Sequence, residues 1–312
     1  MTKSISTVGM TREDWLATRR KGIGGSDVAG ILRMSPWSSP FAVWADKTGR
    51  LPEKEDNEAM RQGRDFEDYV AQRWCEETGK KVRRDNKILC NPDYPWALAN
   101  IDRRVVGENA GLESKTTSVM NLKAFKNGEY PVNFYAQCLH YIAVTGADRW
   151  YLGVLVLNQG FYHYVIERDD AEIAAMMEAE REFWQYVEAD TPPPIDGSDA
   201  TAEALETIYP DAVPTGELDL YGMDAALREI AEYKEAAKTL EASISERENQ
   251  LKAMLGETEA GRCGKYRVTW KSQSRQTFDH KGYAAANPGV DLGPYYKTSA
   301  YRVFKITEVK EK

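Results

Sequence analysis

The sequence predicts a mixed α/β fold, a mixed sheet flanked by helices, followed by a helical arm and a small β tail. Three observations carry this reading. Phe66, Val70 and Trp74 recur at spacing four within 58–78, the mark of a helix with one apolar face. Two pairs of strand-like stretches, 96–106 with 111–117 and 149–157 with 161–168, are joined by short turns at Gly107-Glu108-Asn109 and Asn158-Gln159-Gly160. Beyond Pro192-Pro193-Pro194, a highly charged segment from 223 to 255 keeps apolar residues at helical spacing.

Taken in order, Thr11 followed by Glu13 and Asp14 caps a first helix, because a hydroxyl and acidic residues suit the unpaired N–H groups of a first turn. That helix ends near Lys21-Gly22, and Ser26-Asp27 opens a second one over Val28–Leu32. The 58–78 helix stops at Gly79, whose backbone tolerates the left-handed turn of a helix end. A helix over 133–145 ends the same way at Gly146, and a long acidic helix runs from Asp169 to about Glu188. Three consecutive prolines cannot continue it. The expected division is therefore a core over 1–190, a Pro-rich linker and loop over 191–222, and a tail over 223–312. In that tail 223–255 forms an amphipathic arm, and Tyr266–Lys271 and Tyr301–Ile306 alternate as strands of a small basic sheet.

The chain has 312 residues, with 42% hydrophobic and 29% charged residues, enough to bury a core and unlike a disordered chain. No apolar run approaches the roughly 18 residues of a membrane span, and Met1–Ile5 begins no apolar leader, which argues against secretion. Cys75, Cys90, Cys138 and Cys263 are scattered without a Cys-x-x-Cys pair and read as reduced thiols of a cytoplasmic protein. With three dispersed histidines, oxygen is the expected metal ligand. The net charge of −8 is unevenly spread: 23 cations against 20 anions in 1–150, 6 against 23 in 151–250, and 12 against 6 in 251–312. An acidic middle block does not exclude nucleic acid, since screening limits its reach to about 8–10 Å at physiological salt.

The chemistry gathers in the first half. Asp102 and Glu113 lie on neighbouring predicted strands, and Lys115 shares a strand face with Glu113 because alternate residues point the same way. Two carboxylates that hold Mg²⁺ through oxygen, with a lysine to orient water or stabilise developing charge, suit metal-dependent hydrolysis of a phosphodiester. A surface salt bridge would also explain Glu113 and Lys115. Glu67 borders the apolar stripe of its helix, and Gln137 and Tyr141 lie one helical turn apart. Arg19, Arg20 and Lys21 precede Gly22-Ile23-Gly24-Gly25-Ser26 and a helix start, an arrangement that suits a phosphate or an ordinary N-cap beside a charged turn.

The order of these pieces resembles the lambda-exonuclease/YqaJ-type viral recombinase family of the PD-(D/E)xK nuclease superfamily. The matching blocks are Trp15, Arg19, Gly22 and Ser26-Asp27, then Gly63-x-x-x-Glu67, Asp102, Gly111-Leu112-Glu113-Ser114-Lys115, and Tyr135-Ala136-Gln137-x-x-x-Tyr141, spanning about residues 11–188. Ile101 stands where the superfamily name has proline.

The resemblance implies a restriction-endonuclease-like core and Mg²⁺-dependent 5′→3′ digestion of one strand of double-stranded DNA from an end. The 3′ single strand left behind would feed recombination. It implies Asp102, Glu113 and the Ser114 carbonyl as metal ligands, with Glu67 serving a second ion or positioning water. Lys115 would orient the nucleophilic water, Gln137 would assist at the phosphate with Tyr141 supporting it, and Arg19, Ser26 and Arg20 would bind the DNA phosphate. Two Mg²⁺ per site are expected, with Mn²⁺ as the substitute. So are a homo-oligomer such as a trimeric ring, a single-strand annealing protein as partner, and a phage or prophage origin in a bacterial cytoplasm. Two other readings stand beside it: a structure-specific endonuclease on the same core, and a non-catalytic DNA-binding accessory protein.

Overall fold

A computed structural model describes residues 3–53, 56–213, 216–298 and 301–307. The chain forms two compact units, Met1–Asp211 with Arg302–Lys312, and Ala212–Tyr301. The first contains β1 (Lys3–Ser6), α1 (Arg12–Arg19), β2 (Ile23–Gly24), α2 (Gly25–Ile31), α3 (Pro40–Lys47), α4 (Glu58–Thr78), β3 (Val82–Arg84), β4 (Lys87–Asn91) and β5 (Tyr94–Asn100). It continues with β6 (Arg103–Val105), β7 (Ala110–Thr117), α5 (Val132–Thr145), β8 (Arg149–Val156), β9 (Gly160–Glu167), α6 (Asp170–Glu188) and α7 (Asp199–Ile208).

The local signals act where the sequence places them. Thr11 accepts the Asp14 N–H at the start of α1, Asp169 accepts two N–H groups at the start of α6, and Gly79 and Gly146 end α4 and α5 at positive φ. The main sheet is mixed, in the order β3-β6-β7-β8-β9, with β7 and β8 parallel and the other pairs antiparallel. Parallel neighbours require a crossover, and α5 supplies it. Alternation along β7 divides its side chains between two layers. Leu112 turns to α4, where it packs with Ala71, Trp74 and Tyr151; Glu113 and Lys115 turn to α5. The sheet lies between α4 on one face and α5 on the other.

Four expectations need correction. The stretch 96–106 is not one strand paired with 111–117. It breaks at Ile101-Asp102, and β5 belongs to a second sheet, β1-β4-β5-β2, while β6 crosses over to pair with β7. The stretch 191–222 is not all linker and loop: Ser198 caps α7, and Ala200, Thr201 and Ala204 bury one face of it, with Thr201 Oγ1 donating to Ser39 Oγ at 2.7 Å beside α3. The prolines end α6, and the first unit runs past them to Asp211 rather than stopping at 190, because α7 folds back onto α3. Residues 301–307 form no strand; Arg302 donates to the Tyr209 carbonyl at 3.2 Å.

The second unit contains α8 (Asp224–Leu255), β10 (Ala260–Cys263), β11 (Tyr266–Thr269) and α9 (His280–Ala286). The arm α8 spans 32 residues and buries none of them, so Leu227, Tyr233, Leu240, Ile244 and Leu251 remain exposed. No helix among the described residues is long and apolar enough to cross a membrane.

Candidate active site

The break at Ile101-Asp102 creates the site. There the chain leaves one sheet for the other, and Asp102 Oδ2 accepts the backbone N–H of Ser114 at 2.9 Å, which pins the bend to β7. Glu113, on β7, is 3% exposed. Its Oε1 accepts from Lys115 Nζ at 2.6 Å and from Gln137 Nε2 at 2.8 Å. Lys115 also donates to Gln137 Oε1 at 2.8 Å. Lysine only donates and carboxylate only accepts, so these two neighbours fix the orientation of the Gln137 amide. The amide then donates to Tyr141 Oη at 2.9 Å, and Tyr141 donates to the Asn100 carbonyl at 3.2 Å. One face of α5 thus clamps β7 and the end of β5 together.

The electrostatics are unbalanced toward anions. Burial first, then the charges of Glu113 and Glu67, push the Asp102 carboxyl well above its ordinary range. Burial would lower the Lys115 ammonium, yet the adjacent Glu113 charge and hydrogen bond outweigh it and leave it raised, hence protonated at neutral pH. Glu113 Oε2 is buried with no hydrogen-bond partner. Among the described residues no three His, Cys, Asp or Glu side chains gather closely enough to form a metal cage. The donor set here is smaller and of another kind: two carboxylates and a strand carbonyl at Ser114, hard oxygen ligands of the sort Mg²⁺ takes while keeping several waters. An orphaned carboxylate oxygen and a carboxyl disfavoured as an anion fit a divalent cation.

Glu67 reaches the site from α4 but is held by Arg103. The buried Arg103 guanidinium donates to Glu67 Oε1 at 2.7 Å, to the Asp102 carbonyl at 2.8 Å, and to Asp68. The sequence reading missed Arg103; its only signal is a cation directly after Asp102 in an otherwise apolar-alternating run. A polar cleft of about 230 Å³ opens beside Asp102, lined by Trp15, Glu67, Arg84, Asn86, Asn100 and Arg103.

Trp15 also carries the second group. Arg19 stacks on its ring at 4.8 Å and donates to Ser26 Oγ at 2.8 Å. Asp27 behind them binds Lys47 at 2.6 Å, stands 3.8 Å from Arg19, and accepts the Gly24 N–H at 2.8 Å. Burial alone would raise Asp27, but Lys47 and Arg19 hold it below its usual range. Lys47 was not anticipated, although it lies four residues after Val43 on the buried face of α3. Arg20 is not part of this group and turns toward Asp46 at 4.0 Å. The two groups touch through Gly25: a Cβ there would stand 2.6 Å from the Tyr141 ring and 3.1 Å from Gln137 Cγ.

Residues 14–148 match the family described as the YqaJ-like viral recombinase domain. Across 308 residues the chain is 40% identical to the uncharacterized protein YqaJ of Bacillus subtilis (strain 168), covering 96% of this chain and 95% of that one. The chain belongs to the YqaJ-like viral recombinase family. Its membership agrees with the resemblance carried by Glu67, Asp102, Glu113-Ser114-Lys115 and Gln137. Among solved structures, the chain is similar to an alkaline exonuclease (LHK-Exo) from Laribacter hongkongensis, with 23% identity and a TM-score of 0.48 over 57% of this chain and 93% of that one. It is also similar to a phage-related exonuclease from Haemophilus somnus 129PT, with 11% identity and a TM-score of 0.42 over 57% of this chain and all of that one (100%).

Proposed function

We propose that this protein is a Mg²⁺-dependent exonuclease that digests one strand of linear double-stranded DNA in the 5′→3′ direction and leaves a 3′ single-stranded tail. The observation that carries the reading is the set Asp102, Glu113, Lys115 and Gln137, in which Glu113 and Gln137 are buried and one Glu113 oxygen is orphaned, in a chain of the viral recombinase family.

Asp102, Glu113 and the Ser114 carbonyl would hold one Mg²⁺, with Mn²⁺ as its substitute, and Glu67 would turn from Arg103 to a second ion. Bound there, the metal would supply positive charge that neutralises the scissile phosphate and makes water a better nucleophile. Lys115, fixed between Glu113 and Gln137, orients that water and stabilises charge that develops on the phosphate oxygens. Gln137 keeps Lys115 and Glu113 in register through both ends of its amide. Arg19 has five N–H donors and spends one on Ser26, so the pair is equipped to take a terminal 5′-phosphate, which favours exonuclease over endonuclease action. Assembly into a ring, supply of the 3′ strand to an annealing protein, and a phage or prophage origin in a bacterial cytoplasm belong to the same reading.

The test is digestion of linear duplex with Mg²⁺, comparing 5′-phosphorylated ends, 5′-hydroxyl ends and closed circles. Loss of one strand from phosphorylated ends is expected, abolished by EDTA and slowed about 10²–10³-fold in Lys115→Ala. Cutting of closed circles would replace the exonuclease with an endonuclease. Binding of DNA without cleavage of any substrate would leave an accessory protein.

A further inference from the structure

We propose that residues 260–298 bind single-stranded DNA, with phosphates on the arginine face of the β10–β11 hairpin and bases on an aromatic cluster around Phe278. The choice of DNA among polyanions rests on the nuclease reading above.

The segment carries seven cations (Arg262, Lys265, Arg267, Lys271, Arg275, Lys281, Lys297) against two acids, Asp279 and Asp291. Its ladder pairs Arg262 directly with Arg267. Like charges opposite each other on one sheet face repel and weaken the pair. Both side chains are exposed, and neither forms an ion pair among the described residues. The other hairpin face, which carries Gly261 and Val268, leans on Leu255, for a Cβ at Gly261 would lie 3.0 Å from its Cδ2. The arginine face therefore turns to solvent, and a polyanion is the partner that relieves it.

Rings supply the second, independent observation. All six Phe, Tyr and Trp residues of the segment are exposed, from 39% at Tyr283 to 82% at Tyr295. Four rings form a contiguous cluster: Phe278 lies 5.1 Å from His280 and 5.2 Å from Tyr283, and His280 stacks at 6.2 Å on Tyr296. An exposed aromatic surface of this kind marks an interaction site. Cations interleaved with rings match a strand whose phosphates and base faces are both accessible, which a duplex does not offer. Digestion of one strand of a duplex creates such a ligand next to the enzyme that makes it.

The experiment uses the full chain with a labelled oligothymidylate in EDTA, so that no digestion occurs, and measures affinity across a salt series. Phe278→Ala with Tyr296→Ala is expected to lose about ten- to hundred-fold in affinity, while Phe278→Trp with Tyr296→Trp keeps it and shows that the fold tolerates change there. Arg262→Ala with Arg267→Ala is expected to flatten the slope of log affinity against log salt by about 1.4, two phosphate contacts' worth, and Arg→Lys at both positions to restore it. Wild-type affinity and slope in both alanine variants would overturn the proposal. So would an altered oligomeric state with unaltered strand affinity, which would assign the rings to a second copy of the chain. Wild-type protein that binds the oligonucleotide yet digests no duplex would sink the nuclease reading and leave this site standing.

Discussion

Two charged clusters flank α5, and their charges run in opposite directions. Around β7 three acids, Glu67, Asp102 and Glu113, face two cations, Lys115 and Arg103, and one carboxylate oxygen has no partner. Around α2 two cations, Arg19 and Lys47, face the single Asp27, whose Oδ2 takes Lys47 and the Gly24 N–H while its Oδ1 stands 3.8 Å from Arg19. Buried charge is tolerated where it is paired; acids outnumber cations in the first cluster and cations outnumber acids in the second. On the proposed function, the acidic cluster would take the metal cation and the basic one the phosphate. Gly25 keeps them in contact, so a cation and a phosphate bound there would be neighbours. What distinguishes the two places is an unbalanced charge in each, not a large cavity.

The comparison breaks most visibly at Arg19. Arg19→Ala is expected to slow digestion from 5′-phosphorylated ends about ten-fold or more, as loss of a charged hydrogen-bond donor does, while leaving 5′-hydroxyl ends unchanged. Equal slowing on both ends, measured in parallel time courses, would remove the phosphate from the basic cluster. Gly25→Ala tests the contact itself. Its methyl must displace Tyr141 or α2, at a cost of about 1–3 kcal/mol in unfolding free energy by chemical denaturation. Activity should fall further than stability, because Gln137 moves with Tyr141 and Lys115 loses its seat. A variant as stable and as active as wild type would show that the two clusters are independent.

The smallest effect sharpens the charge argument. Asp102 has a raised pKa in the folded chain, so the folded state holds its proton more tightly than the unfolded one. Metal-free stability should therefore be greatest below the ordinary value of 3.8 as far as this group is concerned, and its share should be lost as pH climbs through the raised value. Asp102→Asn keeps an acceptor for the Ser114 N–H and removes that loss. At neutral pH without metal it should melt above wild type. Mg²⁺ should then reverse the order, stabilising wild type by about 2.7 kcal/mol at a hundred times its dissociation constant and the variant hardly at all. Scanning calorimetry with and without Mg²⁺ reads both arms; a variant that melts below wild type without metal would mean that Asp102 is not a strained anion.

Much of this was legible in the chain itself. Helix ends at Thr11, Gly79, Gly146 and Asp169, the Phe66–Trp74 stripe, and the β8–β9 hairpin all follow from signals within a few residues of one another. The candidates that the fold gathers were legible too, since Asp102, Glu113, Lys115 and Gln137 occur in the order on which the family resemblance rests. Short-range rules failed where pairing is long-range. Nothing near 96–106 says that β5 and β6 belong to different sheets, and β1, α3 and α7 lack the long periodicity that announces α4. Partnership was hidden as well. Glu67 meets Arg103 across 36 residues, and Asp27 meets Lys47 across 20, so neither neutralisation could be seen from the chain alone.

Which chemical groups are present and which local elements carry them can be read along the chain, because capping, turn formation and alternation act over a few residues. Which groups are balanced and which are left over depends on contacts between residues far apart in the chain. A buried carboxylate is left over where the fold gives one of its oxygens no partner, as at Glu113 Oε2, or sets other carboxylates beside it, as at Asp102, and it is balanced where cations close on it, as at Asp27.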